Sequence, residues 1–122
     1  MIFKAKDNTI LGQSWVWYDE LHKKICLDNI EVPKLILQTK LKSKETQKDF
    51  LHCLKRMVKN FLQEMKKKGL EVNSITIGKG YTDIKDILEE NYILSNTEPI
   101  LSDYTGYTDA KVQYILYKKS NL

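Results

Sequence analysis

Between Phe50 and Met65 the apolar residues return every three or four positions, which is the period of one face of an α-helix. Residues that favour helix ends flank this stripe. The hydroxyl of Ser43 can accept a hydrogen bond from a free amide at a helix start, and Gly69 can adopt the left-handed conformation that ends a helix. The pattern therefore predicts one long amphipathic helix between Ser43 and Gly69. Its apolar stripe consists of Phe50, Leu51, Leu54, Met57, Val58, Phe61, Leu62 and Met65.

Segments in which residues typical of strands alternate between two faces predict β-strands on both sides of this helix. They cover residues 2–5, 10–17, 24–32, 71–77, 92–94 and 110–117. The polar residues 18–23 turn the chain between the second and third of these strands, which makes the two a β-hairpin. Pro33 ends the hairpin because proline has no amide hydrogen to donate to a neighbouring strand.

A second, shorter helix is predicted after Thr82, whose side chain can cap it, and Asn91 ends it. The order of elements is then strands, long helix, strand, short helix and strands. Such an order packs the helices on one sheet, and the passage from residue 25 to residue 77 predicts a right-handed crossover between two parallel strands. We therefore expect a single α+β domain over residues 1–122, with a mixed, mainly antiparallel sheet that carries one long and one short helix.

The composition is that of an ordinary globular domain. The chain has 122 residues, of which 42% are hydrophobic, and this is enough for one core. It contains no apolar run long enough to cross a membrane and no signal peptide at its start, so we expect a cytoplasmic protein without a membrane partner. Because the cytosol is reducing, Cys26 and Cys53 are expected to be buried thiols rather than a disulfide.

Positive charge is concentrated in the first half of the chain. Residues 1–69 hold fifteen Lys and Arg against eight Asp and Glu, whereas residues 70–122 hold five against eight. This asymmetry indicates either an anionic ligand or a lysine-rich helix face in water. Nucleic acid is not an expected partner, because a single arginine leaves little for base reading and permits at most non-specific phosphate contacts. Those contacts would come from Lys40, Lys42, Lys44, Lys48, Lys55, Arg56 and Lys59.

Two further groups of residues have a functional and a structural explanation. The side chains that can bind metals include no Cys-x-x-Cys motif, and adjacent ligands on a helix point about 100° apart, so no metal site is expected. Trp15 and Trp17 are expected to pack in the core or at an interface rather than to stack on bases. Exposure of either tryptophan would indicate a homodimer through strand faces. The potential metal ligands are His22, Cys26, His52 and Cys53.

The order of elements, with the sequences at their ends, resembles the core of the GNAT acyltransferases. The resemblance is spread over most of the chain, and each of its segments is short. It starts at the family's second strand, so the chain corresponds to the C-terminal portion of such a domain or to a trimmed relative. The segments that carry it are DNTILGQSWVW at residues 7–17, DNIEVP at 28–33, KKKG at 66–69, SITIG at 74–78 and VQYILYKK at 112–119.

The resemblance implies a binding site for acetyl-CoA. Members of the family bind this cofactor where two neighbouring parallel strands splay apart, and backbone amides before the long helix hold its pyrophosphate. The thioester carbonyl would then lie over backbone amides near Ile30 and Val32. The family's phosphate loop, Arg/Gln-x-x-Gly-x-Gly/Ala, is matched most nearly by residues 38–43, where Leu41 replaces the first glycine. The implied cofactor-binding residues are Ile30, Val32, Gln38, Lys40, Lys42, Ser43 and Lys44.

The resemblance also implies two catalytic groups. Family members use a tyrosine near the end of the short helix to protonate the leaving thiolate; Leu88 stands at the matching position, and Tyr92 is the nearest tyrosine. A glutamate on the fourth strand acts as a general base through water, which corresponds to Glu31 unless that residue is a solvent-facing edge carboxylate. The expected reaction moves an acetyl group to an amine of a small molecule or peptide. The alternative is an inactive GNAT-like module for binding or protein interaction.

Overall fold

The computed structural model describes residues 2–4, 10–27, 30–39, 42–78, 84–95 and 113–119. In these residues the strands and helices follow one another in the predicted order. One further short helix is present that was not predicted. Their order is β1 (Ile2–Lys4), β2 (Ile10–Gln13), β3 (Val16–Asp19), β4 (Lys24–Leu27), α1 (Lys34–Gln38), α2 (Lys44–Lys67), β5 (Ser74–Gly78), α3 (Lys85–Asn91), β6 (Ile93–Ser95) and β7 (Gln113–Lys118).

Five strands form one mixed sheet in the order β3-β4-β5-β7-β6. Strands β4 and β5 are parallel, and the other neighbours in this sheet are antiparallel. The first two strands, β1 and β2, pair with each other in a separate two-stranded antiparallel sheet. This architecture confirms the predicted α+β class and the mixed, mainly antiparallel sheet. It also confirms that the connection from β4 to β5 joins two parallel strands.

The predicted hairpin is present, but a change of register interrupts it. Val16 pairs with Leu27, and three residues earlier Gln13 pairs with Glu31, so the second strand holds one more residue than the first between the two pairs. A change of register by one residue moves the later side chains to the opposite face of a strand. Residues 14, 15, 30 and 32 lie outside strands, so the prediction of unbroken strands over residues 10–17 and 24–32 was wrong. The change of register depends on cross-strand pairing, which the alternation along one segment does not show.

The structure confirms the predicted start and end of the long helix. The Ser43 hydroxyl accepts a hydrogen bond from the Thr46 amide at 3.1 Å, and α2 begins at the following residue. At the other end Lys68 is the last residue in a helical conformation, and Gly69 has a φ of 70°. This positive φ is the conformation that glycine adopts without a steric penalty.

One face of the five-stranded sheet carries the core. Its buried residues on β4 and β5 are aliphatic, and α2 covers them with Phe50, Leu54 and Met57. The change of register agrees with the positions of the apolar side chains, because those at positions 25 and 27 and those at positions 30 and 32 are all buried in the same cluster. The Glu31 side chain between the last two is exposed.

Several local predictions were wrong. Strand β3 continues to Asp19, so the turn before β4 is confined to residues 20–23. The five-residue helix α1 was not predicted, and its N-cap is Pro33. Helix α3 begins at Lys85 with Ile84 as its N-cap, and Thr82, the predicted cap, lies outside the described residues.

The two cysteines are free thiols in different surroundings: Cys26 is buried, whereas Cys53 is half-buried and its thiol donates to the Lys4 carbonyl at 3.0 Å. Trp15 is 76% exposed and so does not pack in the core. The other predicted place for it, an interface, and the homodimer that its exposure would indicate stay predictions. None of the helices in the described ranges combines the length and the hydropathy that a membrane crossing requires.

Candidate functional site

The parallel pairing of β4 and β5 ends near their carboxyl ends. It runs from Lys24 and Ser74 to Leu27 and Ile77. Further along the chain Glu31 pairs with Gln13 of β2: its amide donates to the Gln13 carbonyl at 2.8 Å, and its carbonyl accepts from the Gln13 amide at 2.9 Å. We call this place the β4–β5 junction: the carboxyl ends of β4 and β5 with residues 30–32. In sheets with parallel strands, ligands bind where neighbouring connections leave in different directions.

The start of α2 lies at the same edge of the sheet. A helix that connects two parallel strands runs back along them, so its N-terminus is at their carboxyl ends. The Thr46 amide is satisfied by the Ser43 hydroxyl, and the Gln47 amide donates to the Ser43 carbonyl at 3.1 Å. The two earlier amides, those of Lys44 and Glu45, belong to the helix end that points outward and favours anions.

Along residues 30–32 the side chains alternate between the core and the solvent. The side chains of Ile30 and Val32 are buried in the core, whereas that of Glu31 is exposed. The backbone amide of Glu31 is engaged with Gln13, so it is not available for a thioester carbonyl. What this segment presents to a ligand is therefore the exposed carboxylate of Glu31.

The close approach of β2 to this segment requires a glycine. A β-carbon at Gly12 would lie 2.9 Å from the Glu31 carbonyl oxygen and 3.0 Å from Cγ2 of Ile30. The first of these contacts is essentially excluded for a real β-carbon, and the second is tighter than nearly all contacts of real β-carbons. Gly12 thus allows the close approach of β2 to residues 30–31.

The predicted phosphate loop is divided between two helices. Gln38 is the last residue of α1 and is exposed, and Thr39 caps that helix. Lys42 is exposed, and its amide donates to the Thr39 carbonyl at 3.2 Å. Lys40 and Leu41 lie outside the described residues. The structure thus brings Lys42, Ser43 and Lys44 together at the start of α2, while Gln38 belongs to the preceding helix.

Tyr92 and Glu31, the two predicted catalytic residues, have different surroundings. Tyr92 follows α3, is half-buried and packs against the core cluster. Burial raises the pKa of its hydroxyl, so the group is protonated at neutral pH. The Glu31 side chain is exposed to solvent. This exposure also agrees with the alternative interpretation, in which Glu31 is an edge carboxylate without a catalytic role.

A polar cluster at the junction was not predicted. The Thr76 hydroxyl donates to the Gln113 side-chain oxygen, and the Cys26 sulfur lies 4.0 Å from that same oxygen. All three side chains are buried on the sheet face opposite the core. The available signal was the strict alternation of polar Ser74 and Thr76 with isoleucine in β5, because polar residues on one face of a central strand indicate a polar face inside the protein.

A second tyrosine was also missed. Tyr114 on β7 is fully buried, and its hydroxyl donates to the Glu89 carboxylate on α3 at 3.3 Å. Burial, followed by the charge of Glu89, raises the pKa of Tyr114 to about 12. This pair joins α3 to the sheet, and its signal was the position of Tyr114 on the apolar face of the last strand.

Comparison of the chain with protein-family models, with curated proteins and with solved structures found no match. Within the described ranges, no three side chains of His, Cys, Asp or Glu are grouped so that they could hold a metal ion. The geometry of the β4–β5 junction and of the adjacent helix start is therefore the basis on which a function can be argued.

Proposed function

We propose that the protein is an acetyl-CoA-dependent N-acyltransferase that acts on an amine of a small molecule or peptide. The observation that supports this proposal is that the parallel pairing of β4 and β5, the only parallel pair in the described sheet, ends at the edge where α2 begins. The resemblance to the GNAT acyltransferases implies that the pantetheine arm of the cofactor binds at such an edge. The electrostatics of the same edge also suit an anionic ligand.

The proposed phosphate site is the start of α2. The outward-pointing amides of Lys44 and Glu45 favour an anion, and the ammonium groups of Lys42 and Lys44 add two positive charges. Lys40 is proposed as a third cation. Ser43 contributes by fixing the turn, since its hydroxyl is engaged with the Thr46 amide. Gln38 flanks this site from the end of α1.

The proposed chemistry is attack of a neutral amine on the thioester carbonyl. The carbon–nitrogen bond forms, the carbon–sulfur bond breaks, the amine loses one proton and the thiolate gains one. Glu31 is proposed to accept the amine proton through water, because its carboxylate is exposed at the junction. Tyr92 is proposed to supply the proton to the thiolate, since its raised pKa keeps the hydroxyl protonated.

The second candidate function is a binding module of the same fold that lacks catalysis. It is favoured by the engagement of the Glu31 amide with Gln13, which removes one donor from the place where a thioester carbonyl would be polarised. In that case the junction and the start of α2 would still bind a phosphorylated ligand. Both functions require binding of the ligand, and they differ in whether the acetyl group is then transferred.

The first experiment is thermal unfolding with and without millimolar acetyl-CoA. A ligand that binds only the folded protein stabilises it by about 2.7 kcal/mol when its concentration is 100 times Kd, so we expect an increase in Tm of several degrees. The double variant Lys42→Glu, Lys44→Glu should unfold at the same temperature without ligand and lose most of this increase. The matched control Lys85→Glu, Lys119→Glu removes the same charge from exposed positions on other elements and should keep it.

Two results would contradict the proposal. An unchanged Tm with acetyl-CoA would exclude the cofactor site. An equal loss of the Tm increase in both double variants would show that net charge, and not the start of α2, determines binding. If the cofactor binds but a panel of amines yields no free thiol, the binding module is the better description.

A further inference from the structure

The exposed face of α2 carries a stripe of basic side chains, which we call the basic face. Each member is three, four or seven residues from another member, so that they lie above one another on one side of the helix. All of them are exposed. From first to last they extend over about 27 Å of helix, at 1.5 Å per residue. The basic face consists of Lys48, His52, Lys55, Arg56, Lys59 and Lys66.

The positive charges of the basic face are not neutralised by carboxylates in the described part of the chain. The ion pairs of this part involve His22, Lys23, Lys67 and Lys85, none of which belongs to the basic face. On α2 itself, Glu64 pairs with Lys67 at the edge of the face. The basic face is therefore a source of positive potential directed into solvent.

One part of the basic face is concave. A shallow depression is lined by Lys48, Leu51, His52 and Lys55. The ammonium groups of Lys48 and Lys55 can donate to a phosphate, which accepts several hydrogen bonds at once. The depression lies within the stripe, so a phosphate bound there would be continuous with further cations along the helix.

We propose that the basic face binds the phosphate backbone of nucleic acid without sequence specificity. A linear array of cations along the exposed face of a helix matches a linear polyanion, and the width of a duplex major groove admits an α-helix. The single arginine of the face, Arg56, leaves no basis for reading a series of bases. The proposal concerns residues outside the proposed cofactor site and does not depend on it.

An anionic membrane fits this face less well. Helices that bind at a membrane surface insert an apolar face below the headgroups, beside their basic residues. On α2 the apolar face is directed into the core through Phe50, Leu54 and Met57. The exposed large hydrophobic residues of the described chain are all on other elements.

The test measures fluorescence anisotropy of a labelled duplex DNA of about 20 base pairs, titrated with the full chain at several salt concentrations between about 50 and about 200 mM. Each phosphate contact contributes about −0.9 to the slope of log K against log salt, so four or five contacts give a slope of about −4. The triple variant Lys48→Gln, Lys55→Gln, Lys59→Gln should bind about tenfold or more weakly and reduce the slope by about 2 to 3. Two duplexes of unrelated sequence should bind equally.

The matched control is Lys34→Gln, Lys85→Gln, Lys119→Gln, which removes three exposed lysines from other elements. It should retain most of the affinity and of the slope, and circular dichroism should confirm that both triple variants are folded. Equal weakening by the two variants would overturn the proposal, because net charge alone would then explain binding. It would also be overturned by a lack of duplex binding at the lowest salt, or by binding to phosphatidylserine vesicles in preference to the duplex.

Discussion

The most constrained single position at the junction is Gly12. Its neighbours cannot move freely, since the Glu31 carbonyl accepts a hydrogen bond from Gln13 and the Ile30 side chain is fully buried. A methyl group there would lie 2.9 Å from that carbonyl oxygen. We therefore predict that Gly12→Ala lowers the free energy of unfolding by about 1–3 kcal/mol, as overpacking in a core does. Urea denaturation followed by circular dichroism measures this change.

Gly69→Ala is the matched control for this prediction. A β-carbon at Gly69 would meet no atom within 4 Å, but the φ of 70° makes any side chain strained there. We expect a cost of about 1–2 kcal/mol and no change in ligand binding, because the strain is confined to the end of α2. Gly12→Ala should instead change binding at the junction as well as stability. An alanine at position 12 without any cost would exclude the close approach of β2 to residues 30–31.

At the scale of elements, α2 attaches to the sheet through a few buried side chains. Leu54 is fully buried beneath the helix, whereas Leu62 is half-buried two turns later. Leu54→Ala should lower the free energy of unfolding by about 2–5 kcal/mol, because it removes buried apolar volume and leaves a cavity. Leu62→Ala should cost distinctly less, since water already reaches part of that side chain. Equal costs in urea denaturation would contradict the observed orientation of the helix.

The elements that could be predicted are those whose signals are local. The ends of α2 follow from Ser43 and Gly69, which act on their own helix, and its buried face follows from the apolar period. The change of register between the Val16–Leu27 and Gln13–Glu31 pairs could not be predicted, because it depends on cross-strand pairing. Helix α1 was not predicted because it has only five residues and its N-terminus has no side-chain cap.

The same distinction holds for the candidate site. Lys42, Ser43 and Lys44 could be placed at a helix start from the sequence, because the capping signal fixes the position of α2. The buried cluster of Thr76, Gln113 and Cys26 could not, because it joins three strands that are distant in the chain. Such clusters form through tertiary pairing, and a sequence shows only that each member is a polar or small residue in a strand.

At the scale of the whole molecule, the sheet should be most stable at its centre. Strand β5 is paired on both sides and all five of its residues are buried. Strand β6 is an edge strand of three residues in which Ile93 is 75% exposed, and β1 and β2 form only a two-stranded sheet. Because protection of amide hydrogens follows local stability, we predict the slowest hydrogen exchange in β5 and the fastest in β6, β1 and β2.

The β4–β5 junction lies between the stable centre of the sheet and the less stable strands β1 and β2. Hydrogen exchange can therefore test whether a ligand binds there. The Gln13 amide donates to the Glu31 carbonyl and the Glu31 amide donates to the Gln13 carbonyl, across an isolated pair at the end of β2. A ligand that fills the junction holds this pair closed, so acetyl-CoA should slow exchange at Gln13 and Glu31 far more than in β5, where amides are already protected. Nuclear magnetic resonance with and without the cofactor measures both sets in one experiment. Uniform slowing over the whole sheet would indicate global stabilisation from a site elsewhere, and the junction would then not be where the cofactor binds.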